Sequence, residues 1–239
     1  MKNTIKINHP NVKMVAHRGA SGLECENSNA AFVAAGNRTY FGIETDVHIT
    51  KDGYYALFHD DNTVRMTGEE HVMEETEWSV LRSLKLRDKN GNTREDLVLP
   101  LLKDYIAICK DYDKVAVLEL KNAMAPEHIA GIIAQIEAAD YLDQTIFISF
   151  CYENLVEVKK QKPNQDVQFL TGKFTDDLID KLKAYNMNLD IQYKALTAEN
   201  VKLLHENGIL INCWTCDDPV DGEKLAEYGV DYITSNILE

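Results

Sequence analysis

From residue 101 onward, short apolar runs alternate with longer stretches in which apolar residues recur every three or four positions. The runs at 115–120, 145–150, 167–170, 189–193, 209–214 and 231–234 read as buried strands. Helical periodicity covers 101–111, 126–141, 152–160, 175–185, 197–207 and 218–228. Several of these stretches open on cap or first-turn residues: Ala125-Pro126-Glu127, Thr175-Asp176-Asp177, Thr197-Ala198-Glu199 and Asp217-Asp218-Pro219. Gly208 and Gly229 stand where left-handed C-terminal caps belong. Two earlier runs, 12–16 and 41–46, complete a set of eight strands. Buried strands alternating with helices imply a parallel sheet. Eight units in 239 residues predict an α/β fold, a closed (β/α)8 TIM barrel. A doubly wound open sheet is the competing fold, but no Gly-x-Gly-x-x-Gly follows the first strand.

The stretch 49–100 breaks this alternation. It is polar and charged, contains Gly68, Gly91 and a weak helix near 77–84, and is expected to project from one face of a single domain. Its acidic run, Glu69-Glu70 and Glu74-Glu75-Thr76-Glu77, reads as solvated surface. The formal net charge of −14 disfavours non-specific binding to nucleic acid or to an anionic membrane. A phosphate-bearing substrate would therefore need a few placed cations or a metal. No apolar run approaches membrane-spanning length, and residues 1–7 lack the apolar stretch of a signal peptide. Five scattered cysteines suggest reduced thiols, so the expected location is cytoplasmic. Cys213-Trp214-Thr215-Cys216 has redox-like spacing but falls on a strand, where positions three apart face opposite sides and Trp214 and Cys216 share one.

Candidate chemistry gathers at strand ends, where a barrel brings distant segments together. The clusters are His17-Arg18-Gly19, Glu44-Thr45-Asp46, His59-Asp60 and Glu119-Leu120-Lys121. Three carboxylates (Glu44, Asp46, Glu119) suit a hard divalent cation, Mg²⁺ or Ca²⁺ with Mn²⁺ as a further option. His17 and His59 supply a base and an acid near neutrality. Arg18 has the fork to grip phosphate oxygens and Lys121 adds a point charge, unless it is a solvated strand-end lysine. These are the parts for metal-assisted cleavage of a phosphate ester.

Glu44 and Asp46 lie two apart and so share a strand face. Asp52-Gly53 signals a hairpin. A two-residue loop would pair Lys51 with Tyr54, Val47 with Phe58 and Asp46 with His59; a three-residue loop would put Thr45 opposite His59. His48 shares the face of Asp46 and reads equally as support for the site or as a plain hairpin side chain.

In this order the motifs resemble the glycerophosphodiester phosphodiesterases. The resemblance rests on His17-Arg18-Gly19, Glu26-Asn27-Ser28, Glu44-Thr45-Asp46-Val47, Thr50-Lys51-Asp52-Gly53 and His59-Asp60. It continues in Glu119-Leu120-Lys121, Ser149-Phe150, Trp214-Thr215 and 229–234. It implies a (β/α)8 barrel with an insertion after the second strand. It also implies metal-dependent hydrolysis of a small-molecule glycerophosphodiester to glycerol 3-phosphate and an alcohol. By the same resemblance His17 and His59 are the acid/base pair, Glu44, Asp46 and Glu119 bind metal, Arg18 and Lys121 contact phosphate, and Trp214 lines the pocket. Attack by the glycerol 2-hydroxyl through a cyclic phosphate and direct attack by water stay open as routes. Lysophospholipase D or sphingomyelinase D type activity on the same scaffold is the alternative, with a non-catalytic phosphodiester-binding barrel behind it. Oligomeric state is open between monomer and homodimer. Cys25 and Ser28 stand where the family usually has Pro and Thr, which should affect loop stiffness. The chain has Thr234-Ser235-Asn236-Ile237 where the family commonly has Thr-Asp-x-Pro, so the last helix is expected to be minimal or absent.

Overall fold

The computed structural model describes residues 3–239. In chain order the strands are β1 (Lys13–Ala16), β2 (Gly42–Ile49), β3 (Tyr55–Leu57), β4 (Val115–Leu120), β5 (Thr145–Ser149), β6 (Val167–Thr171), β7 (Asn188–Gln192), β8 (Ile211–Trp214) and β9 (Tyr232–Ser235). All but β3 run parallel, and β1 pairs with both β2 and β9, so the sheet closes into an eight-stranded barrel. Closure eliminates the open doubly wound sheet. Around the strands run α1 (Asn29–Gly36), α2 (Val64–Thr67), α3 (Trp78–Leu81), α4 (Leu102–Asp111), α5 (Pro126–Ala138), α6 (Tyr152–Gln161), α7 (Leu178–Lys183), α8 (Ala198–Glu206) and α9 (Pro219–Tyr228). No helix follows β9 among the described residues.

Periodicity explains the packing. In α5 the buried residues Ile129, Ile132, Ile133 and Ile136 repeat at helical spacing, forming a stripe against the strands. Thr197 and Asp218 cap α8 and α9 as expected, and Gly229 takes the left-handed conformation. The helix expected from 175 begins only at Leu178, where Thr175 has instead turned its hydroxyl onto the Asp177 carboxylate. α1 was not foreseen; Ser28, expected only to alter loop stiffness, caps it by accepting from the Ala31 N–H.

The hairpin corrects the two-residue loop. Val47 pairs with Leu57, His48 with Ala56 and Ile49 with Tyr55, so Lys51, Asp52 and Gly53 form a three-residue loop. Gly53 takes φ 84° and its N–H returns to the Thr50 carbonyl, a left-handed closure that glycine makes without strain. Phe58 donates its N–H to the Asp46 carbonyl, so Asp46 does not face His59 across the ladder. Beyond the hairpin, residues up to α4 form short segments around an apolar cluster of Met73, Leu81, Leu84, Leu86, Leu97 and Leu99.

Candidate active site

Alternation along the strands sorts side chains into two layers. Ile43 and Val47 of β2, Ala116, Leu118 and Leu120 of β4, and Met14 and Ala16 of β1 pack outward among the helices. That leaves Glu44, Asp46 and Glu119 pointing inward, with Asp46 paired to Glu119 across the β2–β4 ladder. One oxygen from each of the three carboxylates lies within 4.8 Å of the others, and all three residues are buried. His17, Arg18, Glu44, His59, Glu119 and Trp214 line one cavity of roughly 100 Å³. Asp46 and Lys121 stand behind this surface. Lys121 Nζ is 2.9 Å from Glu119 Oε1 and 3.5 Å from Asp46 Oδ1, so the lysine is not a solvated strand end.

The carboxylates strain against one another. Burial, then the charges of Asp46 and Glu119, holds Glu44 well above the usual carboxylate range. Burial and Asp46 push Glu119 up to about 7, against the pull of Lys121. Burial also works to raise Asp46, but Lys121 and Arg18 outweigh it and bring the group down to about 2. Three buried acids with two cations beside them therefore cannot all ionise cheaply. An all-oxygen donor set with unbalanced negative charge fits a hard divalent cation.

The turn after β1 is built for this cluster. Arg18 takes φ 53° and Gly19 φ 76°. The Arg18 N–H donates to Glu44 Oε2 at 2.7 Å and the Gly19 N–H to the Glu44 carbonyl at 3.1 Å. A side chain at Gly19 would meet Ala31 at 2.7–2.8 Å, so glycine is required both by conformation and by the approach of α1. Asn27 donates to Asp46 Oδ2 at 2.7 Å and accepts from the Thr45 hydroxyl at 2.8 Å, which fixes the Asp46 carboxylate.

Each histidine is oriented by a residue that sequence reasoning left without a role. His17 Nδ1 is 2.8 Å from Asn236 Oδ1. Asn236 must present its oxygen there, because its Nδ2 donates to Asp217, a carboxylate that only accepts. Nδ1 of His17 therefore carries the proton. Burial, then the Arg18 charge, lowers its pKa to about 4, so the ring is neutral near pH 7. His59 Nδ1 is 2.7 Å from Asp60 Oδ1. Burial lowers its pKa, opposed by Asp46 and the Asp60 bond. Asp60 is gripped by Arg65, which also holds Glu26, and Glu26 holds Arg18 at 2.8 Å. His48 is fully buried and reaches Glu74 at 3.2 Å, joining the acidic run of the insertion to the barrel. Of these partners, Asp60 was legible as the neighbour of His59; Asn236 lies more than two hundred residues from His17 and gave no signal.

The opposite wall is apolar and aromatic, formed by Ile148, Phe150, Leu170 and Trp214, with Phe150 and Trp214 edge to face at 5.5 Å. β8 ends at Trp214, so strand alternation does not extend to Cys216. Trp214 faces the cavity while Cys213 and Cys216 are both buried free thiols in the outer core, and Trp214 and Cys216 do not share a face. A larger cavity of roughly 530 Å³ beside the insertion contains neither histidine nor any of the three carboxylates.

The model of the glycerophosphoryl diester phosphodiesterase family matches residues 17–238. A glycerophosphodiester phosphodiesterase of Caldanaerobacter subterraneus is 27% identical over 93% of both chains. One from Bacillus subtilis is 29% identical over 93% of this chain and 82% of its own. The structure of an Oleispira antarctica phosphodiesterase bound to its product sn-glycerol-3-phosphate superposes with a TM-score of 0.86 at 24% identity, covering 94% of this chain and 93% of that one.

Proposed function

Because the chain belongs to the glycerophosphoryl diester phosphodiesterase family, its general reaction is hydrolysis of phosphodiesters, and we propose the finer reading that it converts glycerophosphodiesters to glycerol 3-phosphate and an alcohol with a divalent metal and a His17/His59 acid–base pair. The observation that carries this is the convergence on one small cavity of both histidines, Arg18 and two members of the acidic triad. Mg²⁺ or Ca²⁺, with Mn²⁺ as a further option, held by Glu44, Asp46 and Glu119, would neutralise the carboxylates and polarise phosphate oxygens.

The protein's own groups divide the remaining work. His17 is neutral with its proton on Nδ1, so Nε2 has a free lone pair to accept a proton from the attacking hydroxyl. Asp60 orients the His59 ring, and its bond opposes the net lowering of that group's pKa by burial, Arg18 and Lys121; in its protonated form His59 would give a proton to the departing alkoxide. Arg18, tied to Glu26 and 3.7 Å from Asp46, would grip the phosphate oxygens. Lys121 adds positive charge beside the triad. With the glycerol 2-hydroxyl as nucleophile, the P–O bond to the alcohol breaks and a cyclic phosphate results. His59 then takes a proton from water, and His17 returns its own to the 2-oxygen. With water as nucleophile, the same pair completes hydrolysis in one step. The cavity is well below the roughly 300 Å³ at which pockets for drug-sized ligands begin, which favours a small polyol over the acyl chain of a lysophospholipid.

The test is release of glycerol 3-phosphate from glycerophosphocholine and glycerophosphoethanolamine, with EDTA and with Mg²⁺, Ca²⁺ or Mn²⁺ restored singly. Activity abolished by EDTA and restored by a metal supports the reading; a protein inactive with every metal and both substrates overturns it.

Metal stabilisation should also depend on pH. The Glu119 carboxyl titrates near 7 in the folded metal-free protein and near 4.5 when unfolded. Between those values the folded state holds more protons, so this group's contribution to stability falls as pH rises. Cation binding reverses that loss. At a metal concentration about a hundredfold above Kd, Tm is expected to rise by roughly 5–10 °C at pH 7.5. The rise should be clearly smaller at pH 5. An equal or larger rise at pH 5 in thermal unfolding would exclude these carboxylates as the ligands.

A further inference from the structure

The inward face of the barrel carries a second polar group that the acid–base pair and the acidic triad do not use. Inward positions of β6 to β9 form a hydrogen-bonded layer. Asn212 Nδ2 donates to Gln168 Oε1 at 3.1 Å and to Asp190 Oδ2 at 3.3 Å, and Thr234 donates its hydroxyl to Asn212 Oδ1 at 3.0 Å. Both hydrogens of the Asn212 amide are thereby spent, and none is left for the other oxygen of Asp190. Asp190 is only 2% exposed, yet Oδ1 has no protein partner among the described residues. Nε1 of Trp214 is likewise buried and unpartnered. An orphaned buried polar atom is costly, and native interiors rarely keep one without a use.

These two orphans belong to one place. Asp190 and Trp214 both line the cavity that contains His17, Glu44, His59 and Glu119. Asp190 pairs with Asn212 across the β7–β8 ladder, and Trp214 is the next inward residue of β8, so the two are diagonal neighbours. In barrel order β7 and β8 lie across from β2 and β4, which carry the acidic triad. Around them the wall carries the apolar Ile148, Phe150 and Leu170, with Thr215 and Thr234 beside them. An oxygen acceptor and an indole donor in a largely apolar wall complement a hydroxyl, which donates to one and accepts from the other.

We propose that Asp190 and Trp214 form a hydroxyl-recognition subsite that binds the free primary hydroxyl of the substrate's glycerol moiety and so selects glycerol-headed diesters. The subsite rests on the reading that the substrate is a glycerophosphodiester. The 2-hydroxyl is left free to reach phosphorus, while the primary hydroxyl anchors the chain on the far wall. Asp190 is then a specificity-determining residue rather than an acid or base.

The test compares glycerophosphocholine with its analogue in which the primary hydroxyl is replaced by hydrogen, keeping the 2-hydroxyl. The wild type is expected to prefer the parent by about 10- to 100-fold in kcat/KM, the range for a lost buried hydrogen bond. In Asp190→Leu that ratio should fall towards one, with the loss on the parent substrate appearing in KM. Asp190→Asn, whose amide still offers a partner, should keep the ratio within a few-fold. Trp214→Phe, which removes the indole donor from a partly exposed side chain, should lower the ratio and provides the comparison if Asp190→Leu does not fold. A wild type without preference, or variants that lose both substrates in parallel, overturns the subsite. A wild type active on neither diester overturns the substrate reading itself, and the subsite with it.

Discussion

His59→Ala is expected to lower kcat on glycerophosphocholine by about 10²- to 10⁴-fold, the range for loss of a general acid, while the metal-induced rise in Tm persists. The ring is fixed by Asp60 and contributes no atom to the three-carboxylate cluster, so its removal should leave cation binding intact. A leaving group that departs without a proton separates the roles further. On a glycerophosphate ester of p-nitrophenol, whose anion is stable near neutrality, His59→Ala should lose far less of the single-turnover release of the leaving group, the step in which His59 acts as the acid. His17→Ala should lose activity on both substrates, because the nucleophile must be deprotonated in either case. An equal loss on both substrates would remove His59 as the acid. Disappearance of the metal-induced Tm rise in a folded His59→Ala would make it a ligand instead.

Glu44→Gln should separate stability from activity. Glu44 is buried among two other carboxylates, and burial with their charges holds it well above the usual range. The amide keeps an oxygen to accept the Arg18 N–H, now at 2.7 Å, but removes the buried acid that its neighbours' charges oppose ionising. The metal-free variant is expected to be more stable than the metal-free wild type at pH 7.5, by about 1–2 kcal/mol or roughly 2–8 °C. It should also show little metal-induced stabilisation and a loss of kcat/KM of at least about a hundredfold. Paired thermal scans with and without Mg²⁺ or Ca²⁺ check the first part, and the glycerol 3-phosphate assay the second. A variant destabilised without metal would show that the carboxylates are already balanced by Arg18 and Lys121. That result would remove the charge argument for a cation.

Much of this site was legible because strand periodicity is local. Two residues two apart on a strand share a face whatever the rest of the chain does, so Glu44 and Asp46 had to point together. Eight strand–helix units likewise put β1 and β4 beside β2, which brings His17 and Glu119 to the same end. His59 reaches the cavity by a different path from the one a two-residue loop predicts. The loop has three residues, and the histidine reaches the cavity because the chain leaves the ladder after Leu57, not because it faces Asp46.

Local pattern alone specifies the barrel, the candidate groups of the site and the strand faces that carry them. Each follows from a repeat of two or about three and a half residues, or from a short motif. Tertiary structure decided what holds those groups in place. Asn236 orients His17, Arg65 ties Asp60 to Glu26, Glu74 meets His48, and the donors of Asn212 run out before Asp190 is satisfied. Such contacts depend on loop paths and on barrel closure, which join residues tens to hundreds of positions apart. No local periodicity records them, because the energy that selects them exists only once the strands have closed around a common interior.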